Sequence, residues 1–207
     1  MKQSLLLFLT SFLFFSCLSS SDDDDNQLLS KSEINRCFTL TRGNYNGYLV
    51  YPAQNPNKAS DQADTLDINW TVTADTMLVV DRFPAKAIAG NITLNDELKT
   101  ALIEQNPTQK MSCYMVFYQA DPTIMFMLAP QMMEFPVFYD GATHTVKAYY
   151  WSNNVNQAIS HGARELSTSE MVVRIVLGAI YLDNNETNNL LGTASTYMIP
   201  VYLTTTL

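Results

Sequence analysis

The sequence is short of the residues that catalysis and metal binding use most often. It has three cysteines and two histidines among 207 residues. No His-x-His, His-Glu-x-x-His or Cys-x-x-Cys spacing occurs, which excludes the common zinc motifs. It also lacks a Gly-x-Ser-x-Gly elbow, a P-loop and a Gly-x-Gly-x-x-Gly turn. The sequence therefore predicts no metal site and no cofactor, and it favours a non-enzymatic role.

Charge is scarce as well, and positive charge most of all. Charged residues make up 15% of the chain, against roughly 25% in an average domain. The 12 Lys and Arg residues are outnumbered by 20 Asp and Glu residues. Because an acidic surface repels phosphates, nucleic acid is not an expected partner. Hydrophobic residues make up 47%, which at this length is enough for one domain with a core of its own.

The N-terminus carries the most specific pattern. Lys2 precedes an apolar run over residues 5–15, which is too short to span a bilayer but has the length of a signal-peptide core. A serine then stands directly before Cys17, and a small residue in that position resembles the lipobox of bacterial lipoproteins. We therefore predict a signal peptide over residues 1–16 and lipidation of Cys17, which would anchor the chain to a membrane.

An acidic spacer follows this cysteine. Residues 18–25 read Leu-Ser-Ser-Ser-Asp-Asp-Asp-Asp, and four consecutive carboxylates repel one another and cannot pack. We expect a flexible tether over residues 17–32 and a single folded domain over residues 33–207. The Ser/Asp run resembles the export signal of Bacteroidota surface lipoproteins, which implies display on the outer face of the outer membrane. The alternative is a plain spacer on the periplasmic face.

Two further cysteines, Cys37 and Cys113, lie within the domain. In an oxidising compartment they could form a disulfide between the first segment and a central strand. The alternative is two buried thiols that pack as small hydrophobic side chains. Neither has a histidine nearby in sequence, so neither is predicted to be a catalytic nucleophile.

Strand-like segments dominate the domain. Residues 66–73 alternate apolar and polar side chains, which is the period of a strand with one buried face. Asp140-Gly141 is a pair that tight β-hairpin turns prefer, and it joins two β-rich segments. Pro200 predicts that the last strand is an edge strand or carries a bulge. The other predicted strands cover residues 45–51, 77–81, 111–119, 124–129, 135–139, 142–151, 171–182 and 196–203.

Two helices are predicted beside these strands. Asn95 can cap a helix whose first turn is acidic, and Pro107 ends it. A second short helix is predicted over residues 153–166. Eight or nine strands without a βαβ alternation predict an all-β, mainly antiparallel fold. A β-sandwich is the expected architecture, and a lipocalin-like β-barrel is the alternative.

The segment Gly43-Asn44-Tyr45-Asn46-Gly47 resembles the opening strand of lipocalin-like and related uncharacterised β-domains on Bacteroidota lipoproteins. The chain as a whole resembles a surface lipoprotein of a family of unknown function. The physical content of the segment is a pair of glycines that let a strand bend at a sheet or barrel corner. The resemblance implies no site residue.

Aromatic side chains beside amides form the candidate ligand site. Tyr149, Tyr150 and Trp151 precede Asn153 and Asn154, and planar rings with neighbouring amides can bind sugars by stacking and hydrogen bonding. The alternative is that alternate members of the aromatic run fill the core and cover the opposite face of the sheet.

Two short Asp-Thr-apolar patterns place Thr65 and Thr76 as candidate modification sites. The patterns resemble sites of Bacteroidota protein O-glycosylation. Both threonines fall at the ends of predicted strands, where modification is sterically feasible.

These patterns together predict a cell-surface lipoprotein that acts as a non-enzymatic binding or accessory module. The expected partner is a glycan, a small apolar or lipid-like ligand, or a surface protein. A barrel would place the ligand inside, whereas a sandwich would place it on a face or loop. One alternative is a structural subunit of a surface assembly. The other is a glycoside hydrolase that uses two carboxylates, with Asp81, Glu134, Asp140 and Asp183 as candidates.

Overall fold

The computed structural model describes residues 29–53, 63–152, 159–192 and 199–207. In these ranges three helices lie at Lys31–Thr41 (α1), Lys86–Ala89 (α2) and Asp96–Gln105 (α3). Ten strands lie at Gly43–Pro52 (β1), Ala63–Val72 (β2), Met77–Pro84 (β3), Thr108–Gln119 (β4), Thr123–Pro130 (β5), Met133–Tyr139 (β6), Ala142–Trp151 (β7), His161–Glu165 (β8), Met171–Leu182 (β9) and Ile199–Thr204 (β10). The predicted all-β class is confirmed.

Eight of these strands close into an antiparallel barrel. Strands β1 to β5 pair in chain order, β8 and β9 follow, and β10 pairs with both β9 and β1. Closure through β10 gives every barrel strand a neighbour on both sides, which removes the edges that a sandwich would keep. The structure therefore has the barrel that was expected as the alternative, and the sandwich expectation is wrong.

The remaining two strands form a hairpin that extends one end of the barrel. Strand β7 pairs with residues 176–182 of β9, and β6 pairs with β7. Strand β8 pairs with residues 171–174 of the same long strand. Asp140 and Gly141 connect β6 to β7, and both have positive φ angles of 48° and 74°. This is the geometry that a type I′ turn requires, so the turn prediction is confirmed.

Helix α1 lies beside the turn between β4 and β5. The guanidinium of Arg36 donates two hydrogen bonds to the carboxylate of Asp121, at 2.6 and 3.0 Å. Ser30 and Glu33 cap the first turn reciprocally, each side chain accepting from the other residue's backbone N–H. Residues 29–32, expected as part of the tether, therefore belong to the domain.

Helices α2 and α3 connect β3 to β4 at the opposite end of the barrel. The side-chain oxygen of Asn95 accepts from the backbone N–H of Leu98 at 2.9 Å, which confirms the predicted cap. Asn106 ends the helix in the left-handed conformation, with a φ of 41°. Gln105 exchanges two hydrogen bonds with the backbone of Phe138, so α3 is held against β6.

Two predicted elements differ from the structure. The helix expected over residues 153–166 is wrong where it can be compared, because His161–Glu165 forms β8; residues 153–158 lie outside the described residues. Strand β10 is not an edge strand, since it has neighbours on both sides. Pro200 pairs with Val176 of β9 on one side. On the other side β1 pairs only with residues 202–204, so no β1 residue pairs with the proline, which has no N–H to donate.

Inward side chains fill the barrel. Gly162 on β8 leaves room for the ring of Phe126, because a Cβ there would overlap it. Gly47 on β1 likewise lets the backbone of Thr204 approach closely, because a Cβ there would overlap the Thr204 carbonyl. Methionines contribute strongly to the buried core, which includes Met111, Met115, Met133 and Met171.

Candidate functional site

Strand β7 sends the three predicted aromatic residues to different surroundings. Tyr150 faces the core, Tyr149 lies on the outer face, and Trp151 is half exposed and lies over Gly178. Asn153 and Asn154 fall outside the described residues. The described part of the aromatic run does not form one continuous surface.

Tyr149 belongs to a polar cluster on the outside of the sheet. Its hydroxyl donates to the carboxylate of Glu186 at 2.8 Å, and the ammonium of Lys147 lies 3.8 Å from the same oxygen. The hydrogen bond to this carboxylate favours the protonated phenol and so raises the pKa of Tyr149. The ring also meets Tyr181 edge to face, with centroids 5.6 Å apart.

Tyr150 brings its hydroxyl into the protein interior. That hydroxyl is enclosed and has no hydrogen-bond partner within the described part of the chain. Burial raises the pKa of Tyr150, and the nearby Cys113 thiol adds a smaller effect in the same direction. Burial also raises the pKa of Cys113, to about 12, which keeps it a thiol.

The cysteines Cys37 and Cys113 are free thiols, and both are buried. The sulfur of Cys37 lies 3.9 Å from the carbonyl oxygen of Gln119, at the end of β4. Cys113 precedes Gln119 by six residues in the same extended strand, a separation of about 20 Å. A disulfide needs Cα atoms within about 7 Å, so of the two alternatives the structure has the pair of buried thiols.

Arg164 is an inward-pointing cation that the sequence analysis did not find. It pairs with Ile124 on β5 and Met171 on β9, and both partners are fully buried. Directly paired residues point to the same side of a sheet, so the arginine enters the barrel. Its Nε is enclosed and lacks a hydrogen-bond partner among the described residues. Residues 161–165 were assigned to a helix, and only a strand assignment gives Arg164 the inward parity of Gly162.

The hydroxyl of Tyr45 lies between this arginine and helix α1. It donates a hydrogen bond to the backbone oxygen of Thr41, and the guanidinium of Arg164 lies near enough to influence its pKa. Burial raises the pKa of Tyr45, and the charge of Arg164 partly offsets the rise. The ring stacks on Trp70, its partner across the β1–β2 pair.

Two more enclosed polar atoms lie in the same region. The indole Nε1 of Trp70, a residue that is 2% exposed, has no partner in the described ranges. The hydroxyl of Thr41, which is fully buried, also lacks a hydrogen-bond partner among the described residues. We call Thr41, Tyr45, Trp70 and Arg164 the Arg164 cluster. It places three donor groups with unused hydrogen-bonding capacity at the α1 end of the barrel.

Asp183 fixes the loop after β9 to strand β7. Its carboxylate accepts from the backbone N–H of Thr145 at 2.8 Å and lies 2.8 Å from Nδ1 of His144. These two hydrogen bonds, the one with His144 first, lower the pKa of Asp183. A general acid needs a raised pKa, so this geometry suits an anchored turn better than an acid of a glycosidase.

The candidate modification sites differ in setting. Thr65 is exposed but lies within β2, where it pairs with Val50. Thr76 is half-buried in the turn between β2 and β3, with a φ of 56°. Its carbonyl accepts from the backbone N–H of Met115 at 3.0 Å. Modification of either threonine stays a prediction.

The described residues contain neither a metal-binding group nor a membrane-spanning helix. No group of three His, Cys, Asp or Glu side chains among them could hold a metal ion. None of the helices in those ranges is long and apolar enough to cross a membrane.

The class that these features define is a closed antiparallel β-barrel whose enclosed polar atoms include several without a partner in the described part of the chain. Residues 40–182 match the model of a domain of unknown function, DUF4840, and the chain belongs to that family. The matched segment includes all four residues of the Arg164 cluster. No curated protein and no solved structure matches the chain.

Proposed function

We propose that the chain is a non-enzymatic binding module on the outer face of the outer membrane, whose barrel takes up a small, largely apolar ligand. One observation carries the ligand part of this proposal. Four polar atoms enclosed by the barrel and α1 have no partner within the described residues: Thr41 Oγ1, Trp70 Nε1, Tyr150 Oη and Arg164 Nε.

The energetic cost of such atoms supports a ligand. A buried polar group without a partner costs about 1–3 kcal/mol, and more than about 90% of buried polar groups in native proteins are satisfied. Several such groups in one interior would be stabilised by a bound molecule that supplies hydrogen-bond acceptors. A ligand with an apolar body and a polar end would meet both the core and these atoms.

The composition of the interior supports uptake of such a ligand. An eight-stranded barrel is wide enough either to be filled by its own side chains or to hold one small molecule. Methionine is unbranched and flexible, and it repacks at low cost around a new neighbour. Met111, Met115 and Met171 all lie in the buried core, so parts of this interior can rearrange to admit a ligand.

The location at the cell surface is supported by the N-terminal sequence. The apolar run that ends at Cys17 supports lipidation, and the acidic run over residues 22–25 supports export to the outer face. Metabolic labelling with a fatty acid should mark the wild-type chain and leave Cys17→Ser unmarked. Protease added to intact cells should cut the wild-type chain, and replacing residues 22–25 by alanine should protect it.

A thermal-shift screen tests ligand binding. The protein would be the mature chain, residues 17–207 with Cys17→Ser, which we call the unacylated chain. Its panel would contain fatty acids, bile acids, haem, glycans and divalent metals. A ligand at 100 times its dissociation constant stabilises the fold by about 2.7 kcal/mol, so Tm should rise by several degrees. An unchanged Tm with every apolar ligand would contradict the proposal. A rise in Tm with glycans alone would indicate a site on the outer surface.

A further inference from the structure

We propose that the ligand carries a single carboxylate, which Arg164 binds at the α1 end of the barrel while Trp70 and Thr41 donate further hydrogen bonds. This inference rests on the proposed function, because it concerns the polar end of a ligand taken up by the barrel.

The arginine has no counter-ion in the described structure. The ion pairs of the described residues join Arg36 to Asp121, His144 to Asp183, and Lys147 to Glu186. The guanidinium of Arg164 meets the neutral hydroxyl of Tyr45 instead. Arg164 as a whole is partly buried, but its Nε is enclosed beside apolar side chains. A partly enclosed charge without a counter-ion is costly, so an anion at this position would be favoured.

The donor set fits a carboxylate. A guanidinium presents a planar fork that binds both oxygens of a carboxylate side by side. A carboxylate offers about four acceptor positions, which leaves room for the indole N–H of Trp70 and the hydroxyl of Thr41. The stack of Trp70 on Tyr45, at 5.6 Å between ring centroids, brings the indole next to the residue that contacts Arg164.

The charge balance favours one negative charge. Arg164 is the one cation in the cluster, and the chain as a whole carries a net charge of −8. A phosphate monoester would bring a second charge that no side chain of the cluster balances. The ligand class is therefore a monocarboxylate, not a phosphate.

The surface next to the arginine is apolar. Its direct partners Ile124 and Met171 are fully buried, and Phe126 is the next inward residue on β5. An aliphatic chain attached to the carboxylate would contact these side chains, and Met171 can change rotamer to make space. These neighbours select an aliphatic acid over a small hydrophilic one.

The test compares octanoate with 1-octanol, which has the same chain length but no charge. Both would be titrated into the ¹⁵N-labelled unacylated chain, and the two tryptophan indole N–H signals would be followed by NMR. We expect octanoate to bind at least about tenfold more tightly than octanol, since hydrogen bonds to charged groups are the stronger ones. The indole signal of Trp70 should shift with octanoate, and that of Trp151 should stay in place.

Two variants separate a ligand role from a structural one. Arg164→Gln should remove the preference for octanoate over octanol, while Arg82→Gln, a matched change at an exposed arginine of β3, should retain it. If Arg164→Gln does not fold, the octanoate preference of the wild-type chain and the Trp70 shift still decide the question. A purely structural arginine would lower Tm on substitution without any acid preference in the wild-type chain.

The outcomes distinguish this inference from the proposed function. Equal binding of octanoate and octanol, or an unchanged preference in Arg164→Gln, would overturn the carboxylate site and leave a binding barrel. Failure of both compounds to bind would overturn the carboxylate site for aliphatic acids, and the thermal-shift panel would then decide separately whether the barrel binds anything.

Discussion

Tyr45 and Trp70 stack on the inner face of the barrel, with ring planes 8° apart and centroids 5.6 Å apart. They are direct partners in the pairing of β1 with β2. The hydroxyl of the same tyrosine donates to the backbone oxygen of Thr41, the last residue of α1, and the guanidinium of Arg164 on β8 lies near enough to influence its pKa. One side chain therefore lies between the helix and two separate parts of the barrel wall.

Removing this hydroxyl should loosen the α1 end of the barrel. Tyr45→Phe keeps the stack on Trp70 but loses the hydrogen bond to Thr41, and it leaves Arg164 with one contact fewer. We expect a loss of about 1–3 kcal/mol in the free energy of unfolding, measured by urea denaturation. Tyr48→Phe, three residues along the same strand, is the control and should change little. Equal stability of the two variants would show that the hydrogen bond to Thr41 is not formed in solution.

The capping box of α1 predicts a second stability effect. Ser30→Ala removes the side chain that accepts from the backbone N–H of Glu33, which should cost about 0.5–2 kcal/mol. Ser32→Ala, inside the same helix turn, should be neutral in the same urea experiment. A neutral Ser30→Ala would mean that this cap does not form in solution and that α1 begins later in the chain.

The carboxylate of Asp183 predicts a pH-dependent contribution. Because its pKa is lowered in the folded state, the charged form stabilises the fold above the unfolded pKa of about 3.9. This contribution is lost as the pH falls through the lowered folded value. Asp183 is 48% exposed, so Asp183→Asn should lower the free energy of unfolding at pH 7 by less than about 1 kcal/mol. The difference from wild type should shrink in acid; a difference that stays constant with pH would contradict this account.

The cysteines predict a clear labelling result. In the unacylated chain, iodoacetamide at pH 8 should leave native Cys37 and Cys113 unmodified, because both are enclosed and burial disfavours the reactive thiolate. Unfolding in urea without reductant should then allow both to react, which mass spectrometry counts directly. A chain that stays unmodified in urea would have the disulfide that the structure does not contain.

Much of the sheet could be predicted because its signals are local. The alternation in β2, the Asp-Gly turn between β6 and β7 and the apolar run of β9 each mark an element without reference to the rest of the chain. Closure of the barrel could not be found this way, since it depends on β10 meeting β1 from the other end of the sequence. Helix α1 had a local signal, the Ser-x-x-Glu capping box, which the acidic tether beside it obscured.

The candidate site was harder to predict than the strands. Strand β8 has five residues, too few for a clear alternation, so Arg164 was placed on a helix and its inward direction was lost. The aromatic run of β7 was found, but alternation divides it between the core and the outer face. Whether a buried tyrosine has a partner depends on side chains far away in sequence, which no local pattern contains.

The hydroxyl of Tyr150, which has no partner among the described residues, provides the most direct test of the account, because the proposal rests on such enclosed polar atoms. Urea unfolding of Tyr150→Phe in the unacylated chain, with no ligand added, measures what this hydroxyl contributes. We predict that the variant is as stable as wild type or more stable by up to about 1 kcal/mol, since it removes a buried hydroxyl that has no partner among the described residues. A fall of about 1 kcal/mol or more in the free energy of unfolding would mean that the hydroxyl already has a hydrogen-bond partner in the unliganded protein. It would contradict the proposal that the interior binds a ligand through such atoms.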